Sequence, residues 1–214
     1  MKERSILFNS DMVNAILDGR KTQTRRPVKH HALLGFPEDW CPKKESLNKF
    51  LGDYTLFCPF GQVGDRLWCR ETFGFGTQDD DINHLERIVC YKAGYPYHIT
   101  DSGVNEMKRC KSGDFMQPNH YVWEPKKWTP SIHMPRWASR ITLEITDVKV
   151  QRIQKITKEE AKAEGVTKTD FPLETVEGWA DDLYPRFFRE KWQNIYNTWN
   201  SNPWVWAITF KKVK

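Results

Sequence analysis

Residues 138–150, ASRITLEITDVKV, alternate apolar and polar side chains over a long stretch, which predicts an extended β-strand with one face turned to a core. Such a strand needs partners, and the chain offers several. PWVWAITFKK near the carboxyl end reads as a closing strand, with Trp204, Trp206 and Ile208 on one face. SILFN at 5–9 and RIVCYKA at 87–93 are shorter candidates. VGDRLWCRET reads as a turn followed by alternation, placing Leu67, Cys69 and Glu71 on one face and Trp68, Arg70 and Thr72 on the other.

Three helices are predicted among these strands. Ser10 offers an N-cap to a helix whose Met12, Val13, Ile16 and Leu17 share a face that ends at Gly19. Thr157 with Glu160 makes a capping box, so TKEEAKAEG forms a short helix closed by Gly165. Pro185 opens a longer helix, with Phe188, Trp192, Ile195 and Trp199 on one side. Short strands mixed with helices, without regular βαβ alternation, indicate an α+β fold with a curled sheet or small barrel. No GxGxxG follows a strand and no P-loop is present, which excludes those nucleotide-binding designs.

At 214 residues and 39% hydrophobic, the chain can bury a real core, and a single domain over 1–214 is expected. Residues 30–60 and 74–130 read as insertions, the second long and irregular. No apolar run has the length of a membrane span, and MKERSILFNS lacks the apolar stretch of a secretory signal. Cys41, Cys58, Cys69, Cys90 and Cys110 contain no CxxC pair, pointing to a reducing cytoplasm rather than to disulfides or structural zinc. His84, His98, His120 and His133 have no metal-ligand spacing, and Asp79–Asp81 reads as a solvated turn, so neither metal nor cofactor is expected. The tryptophans read as mainly structural.

Charge is unevenly placed. RKTQTRRPVKHH at 20–31 carries five cations (Arg20, Lys21, Arg25, Arg26 and Lys29) and no acid, which equals the chain's whole net charge of +5. Arginines beside Thr and Gln donors suit phosphate contact, and a solvated loop is the plainer alternative. Glu71, on the face of Leu67 and Cys69, is an anomaly because an unpaired buried charge is costly. It either ends its strand in a cleft or pairs with a cation.

Five stretches together resemble the ASCH-domain branch of the PUA-like superfamily, in particular its phage- and prophage-encoded proteins. They are ILFNSDMVNAILDGRKTQTRRPV, VGDRLWCRET, PSIHMPRWASRITLEITDV, ITKEEAKAEGV and NPWVWAITF. The resemblance implies a small curled β-barrel flanked by helices, with a cleft for a nucleobase or nucleic acid, in the cytoplasm of a bacterial host cell. The family includes amidohydrolases that remove the acetyl group from N4-acetylcytidine with a Lys, a Thr three residues later and a Glu on a following strand. By motif these match Lys21 as base, Thr24 as nucleophile and Glu71 as acid, although this chain is about twice as long as those enzymes.

The chemistry is coherent, since amide hydrolysis needs a nucleophile, a base and an acid for the leaving amine. Lys21 serves as base only with a depressed pKa: Arg20, Arg25 and Arg26 lower it, whereas Glu71 would raise it. Arg20, Arg25, Arg26, Arg136 and Trp137 are the candidate nucleic-acid or nucleoside contacts, with core packing the alternative for Trp137. The partner expected is a nucleoside, nucleotide, RNA or DNA, with no membrane role and the oligomeric state left open. A metal-independent amidohydrolase on N4-acylated cytidine-type substrates is the leading expectation. The alternatives are a non-catalytic RNA or modified-base binding module and a ribonuclease.

Overall fold

A computed structural model describes residues 1–28, 58–79, 85–93, 98–100, 121–123, 125, 127–167 and 180–213. The fold is α+β. In chain order it runs β1 (Glu3–Leu7), α1 (Ser10–Leu17), β2 (Gln23–Pro27), β3 (Arg66–Arg70), β4 (Phe73–Asp79) and β5 (Leu85–Tyr91). Then follow β6 (His98–Thr100), β7 (Tyr121–Trp123), β8 (Thr142–Arg152), α2 (Lys158–Ala163), α3 (Ala180–Tyr196) and β9 (Trp204–Lys212). One sheet is ordered β1-β3-β8-β9-β2 and a second β6-β5-β4-β7, and among the described strands neither closes into a barrel.

β9 lies between β8 and β2, with Ile208 opposite both Val148 and Thr24. Successive side chains of a strand point to opposite faces, and Val205–Ile208 are all buried, so both faces of β9 are covered there. The register slips between Ile145 and Asp147, so the inward positions change from Leu143 and Ile145 to Val148. β3 alternates as its sequence predicts: Leu67, Cys69 and the following Glu71 are buried, while Trp68, Arg70 and Thr72 are partly exposed.

The described residues divide into two compact bodies. The first comprises Met1–Arg4, Ala15–Leu67 and Leu143–Lys214; the second comprises Ser5–Asn14 and Trp68–Thr142. In the first, α2 and α3 pack around Ile153, Ile156, Phe188, Trp192 and Val205. In the second, Phe73, Val89, Tyr91, Met134 and Ala138 form the core. The stretch 74–130, expected to be irregular with one strand, supplies the antiparallel β4–β7 sheet. FGFGTQD has too much Gly to show a strand period, and Gly74 is required for packing: a Cβ there would lie 2.6 Å from that of Pro125.

Three helix expectations change. In α1, Ser10 is the first helical residue and Asn9 is the cap, its Oδ1 accepting from the Met12 N–H at 2.9 Å. α3 begins at Ala180, five residues before Pro185, which therefore lies inside it. Burial of Leu183 and Tyr184 in the core offsets the hydrogen bond that the proline removes. Its inner ridge runs through Tyr184, Phe188, Trp192 and Tyr196 at intervals of four, leaving Ile195 exposed. Trp199 falls in a separate 3-10 turn after Asn197, whose φ of 52° ends the helix. The α2 capping box is present as read, with Thr157 Oγ1 accepting from the Glu160 N–H and the Glu160 carboxylate accepting from the Thr157 N–H.

Candidate functional site

The basic segment turns inward. Lys21 follows the Gly19 turn that ends α1 and is only 2% exposed. Its Nζ donates to Glu164 Oε2 at 2.6 Å and to the Glu164 carbonyl at 2.9 Å. Two strand positions after Gln23, Arg25 is also buried: Nη2 donates to Glu160 Oε2 at 2.7 Å, and Nη1 to Glu164 Oε1 at 3.0 Å and Gln23 Oε1 at 2.8 Å. Its guanidinium also lies over the Phe188 ring, 5.6 Å from the centroid. Arg25 is thus a buried member of an ion network, not the phosphate contact expected of it. Glu164 serves two cations at once because Gly165, at φ +90°, turns the chain there; a Cβ on it would come within 3.2 Å of Ala15 and 3.3 Å of Lys21.

Burial holds the Lys21 ammonium below the ordinary lysine range. Glu164 pulls it back up by charge and hydrogen bond, while Arg26 and Arg25 add to the depression. Thr24 is buried in β2 and pairs with Ile208. Side chains alternate along a strand, so Thr24 faces away from the side on which Gln23 and Arg25 meet. Arg26 Nη1 donates to the Tyr196 hydroxyl at 2.9 Å, and Arg20, exposed, forms an ion pair with Asp18 at 2.9 Å. Lys29, His30 and His31 lie outside the described residues.

Glu71 belongs to the second body and is 1% exposed. The two readings left open for it resolve in favour of a cation, and the cation is Arg140. Arg140 Nε donates to Oε1 at 2.9 Å and Nη2 to Oε2 at 2.8 Å, a bidentate pair. Arg140 Nη2 also donates to the Ala93 carbonyl at 2.7 Å, and its guanidinium covers the Tyr91 ring at 4.2 Å. The Tyr91 hydroxyl donates to the Ala138 carbonyl at 2.6 Å. Burial pushes the Glu71 carboxyl above the ordinary range, with Arg140 opposing. Burial also raises the Tyr91 phenol well beyond its usual value.

Trp137, for which core packing was the alternative, is 62% exposed. It stacks on Phe75, itself 47% exposed, at 6.2 Å between centroids and 27° between planes. Arg136, also exposed, lies over the Trp68 ring at 5.8 Å, and Arg70 lies over the same ring at 5.6 Å. The second body thus carries a Phe75–Trp137 stack and a Trp68 ring with two guanidinium groups over it.

In the first body Met1, Lys2, Arg4, Cys58, Gln62 and Asp65 line a depression of about 280 Å³ that includes none of the candidate residues. Among the described residues no cluster of His, Cys, Asp or Glu is built to hold a metal, and no helix is long and apolar enough to cross a membrane. His84 and His120 lie outside the described residues, as do Asp80 and Asp81, while Asp79 ends β4.

Nothing in the sequence marks Glu164, Arg140 or Phe75 as members of these groups, and it marks Glu160 only as a capping residue. In TKEEAKAEG the helix stop reads at Gly165, with no role for Glu164, and Arg140 reads as part of an alternating strand. No protein-family model, characterised protein or solved structure matches the chain.

Proposed function

We propose that the chain is a nucleic-acid-binding protein of the ASCH type that holds its ligand without chemistry. The observation that carries this is the exposed stack of Trp137 on Phe75, together with Arg136, its chain neighbour, and Arg70, which both lie over the Trp68 ring. Aromatic faces receive bases and guanidinium groups receive phosphates, so the two residue types together suit one ligand class. The five motif stretches that resemble ASCH proteins support the same reading. Titration of labelled oligonucleotides should give affinity that falls with salt. Two arginine–phosphate contacts correspond to a log–log slope of about −1.4 to −1.8. Replacing Arg70 and Arg136 by Gln should flatten that slope, and a flat response in the parent protein would overturn the reading.

A second reading, hydrolysis of an N4-acylated cytidine, draws on the depressed Lys21 ammonium, since a lysine with a lowered pKa has more of its amine unprotonated and able to accept a proton. Against it, Glu164 occupies that nitrogen and Thr24 lies on the other side of β2 from Arg25. Incubation with N4-acetylcytidine separates the two. The binding reading expects no cytidine; the hydrolytic one expects cytidine release that disappears in Lys21→Met.

A further inference from the structure

We infer that the ligand of this surface is a single strand, with an unpaired base stacked on the outer face of Trp137 and adjacent phosphates held by Arg136 and Arg70. The inference rests on the binding reading above and specifies which nucleic acid it takes. An indole that is 62% exposed contributes little to folding, yet this one is held in place. Trp137 sits in a 3-10 turn, Arg136–Ala138, whose Ala138 is buried in the core. Its inner side stacks on Phe75. Phe75 meets the buried Phe73 ring edge-on at 5.7 Å, so the platform is anchored to the core of its own body. A base that lands on a fixed ring loses less freedom on binding than one that must order a mobile side chain.

Charge follows the same line. Arg70 Nε donates to the Ser131 carbonyl at 3.1 Å, and among the described residues this arginine makes no ion pair. Its positive charge is therefore available to an anion. In a duplex each base is covered by its neighbours and offers no face to a protruding indole, whereas a single strand presents every base.

The test compares a labelled mixed-sequence single strand, as DNA and as RNA, with the corresponding duplex. Wild-type protein should bind the single strand at least tenfold more tightly. Trp137→Ala and Phe75→Ala should each weaken single-strand binding about tenfold or more and leave duplex binding unchanged, and Trp137→Ala should melt as the parent does. Trp137→Phe, which keeps a stacking face, should retain most of the affinity. Equal affinity for single strand and duplex would leave the binding reading standing and overturn the inference. So would a Trp137→Ala protein that binds the single strand as the parent does. Failure of both nucleic acids to bind would instead remove the binding reading and the inference with it.

Discussion

Arg140→Met is expected to destabilise the protein by about 3–5 kcal/mol, the usual cost of removing one partner from a buried ion pair. Glu71 would be left 1% exposed and without its bidentate partner, and the Ala93 carbonyl would lose a 2.7 Å donor. The loss should depend on pH with a definite sign. Burial already raises the Glu71 carboxyl above its ordinary 4.5, and Arg140 is what opposes the rise. A carboxyl whose folded pKa lies above its unfolded one binds its proton more tightly when folded. Its stabilisation is therefore complete below the unfolded value and is lost as pH climbs through the folded one. Urea unfolding of Arg140→Met should show lower stability at pH 8 than at pH 5, by a larger margin than in the parent. The double variant Glu71→Leu/Arg140→Met should recover much of the loss, because apolar replacement of both partners leaves no charge buried. An Arg140→Met protein as stable as the parent at pH 8 would contradict the pairing.

Glu164→Gln should be nearly as damaging, at about 3 kcal/mol, because one carboxylate neutralises two buried cations. Arg25 would keep Glu160, which sets this figure at the lower end of the range. Lys21 would keep no carboxylate among its described contacts. In the parent, burial holds the Lys21 pKa below 10.5 despite Glu164. Without Glu164, burial and the two arginines all act downward, so the depression deepens. A lysine whose folded pKa is depressed binds its proton more weakly when folded, so stability rises with pH between the depressed value and 10.5. The deficit of Glu164→Gln against the parent should therefore shrink as pH rises through the interval between the two folded values, both below 10.5. A deficit that grows over that range would show that Lys21 is not held by Glu164.

These two networks change the meaning of the residues that the sequence singled out. Lys21 and Glu71 look like a base and an acid when only their motifs are considered. In the folded chain each is half of a tight ion pair, Lys21 with Glu164 and Glu71 with Arg140. Trp137 changes in the opposite direction: a position next to a predicted strand suggested core, and the ring lies outside.

Features that depend on a few neighbouring residues were legible without coordinates. The alternation of RLWCRET put Glu71 inward beside Cys69, Thr157 and Glu160 closed the first turn of α2, and Gly19 and Gly165 ended their helices. Strand period and capping geometry are local, so local sequence carries them. Only the tertiary structure decided which charge each buried charge meets. Lys21 and Glu164 are 143 residues apart, and Glu71 and Arg140 are 69 apart. A periodic pattern states that a side chain faces inward, but the side chain it finds there depends on how distant strands and helices are brought together. The same holds for the sheet built from glycine-rich β4 and for the outward Trp137. Their placement follows from pairing and packing with remote segments, which no short stretch of sequence encodes.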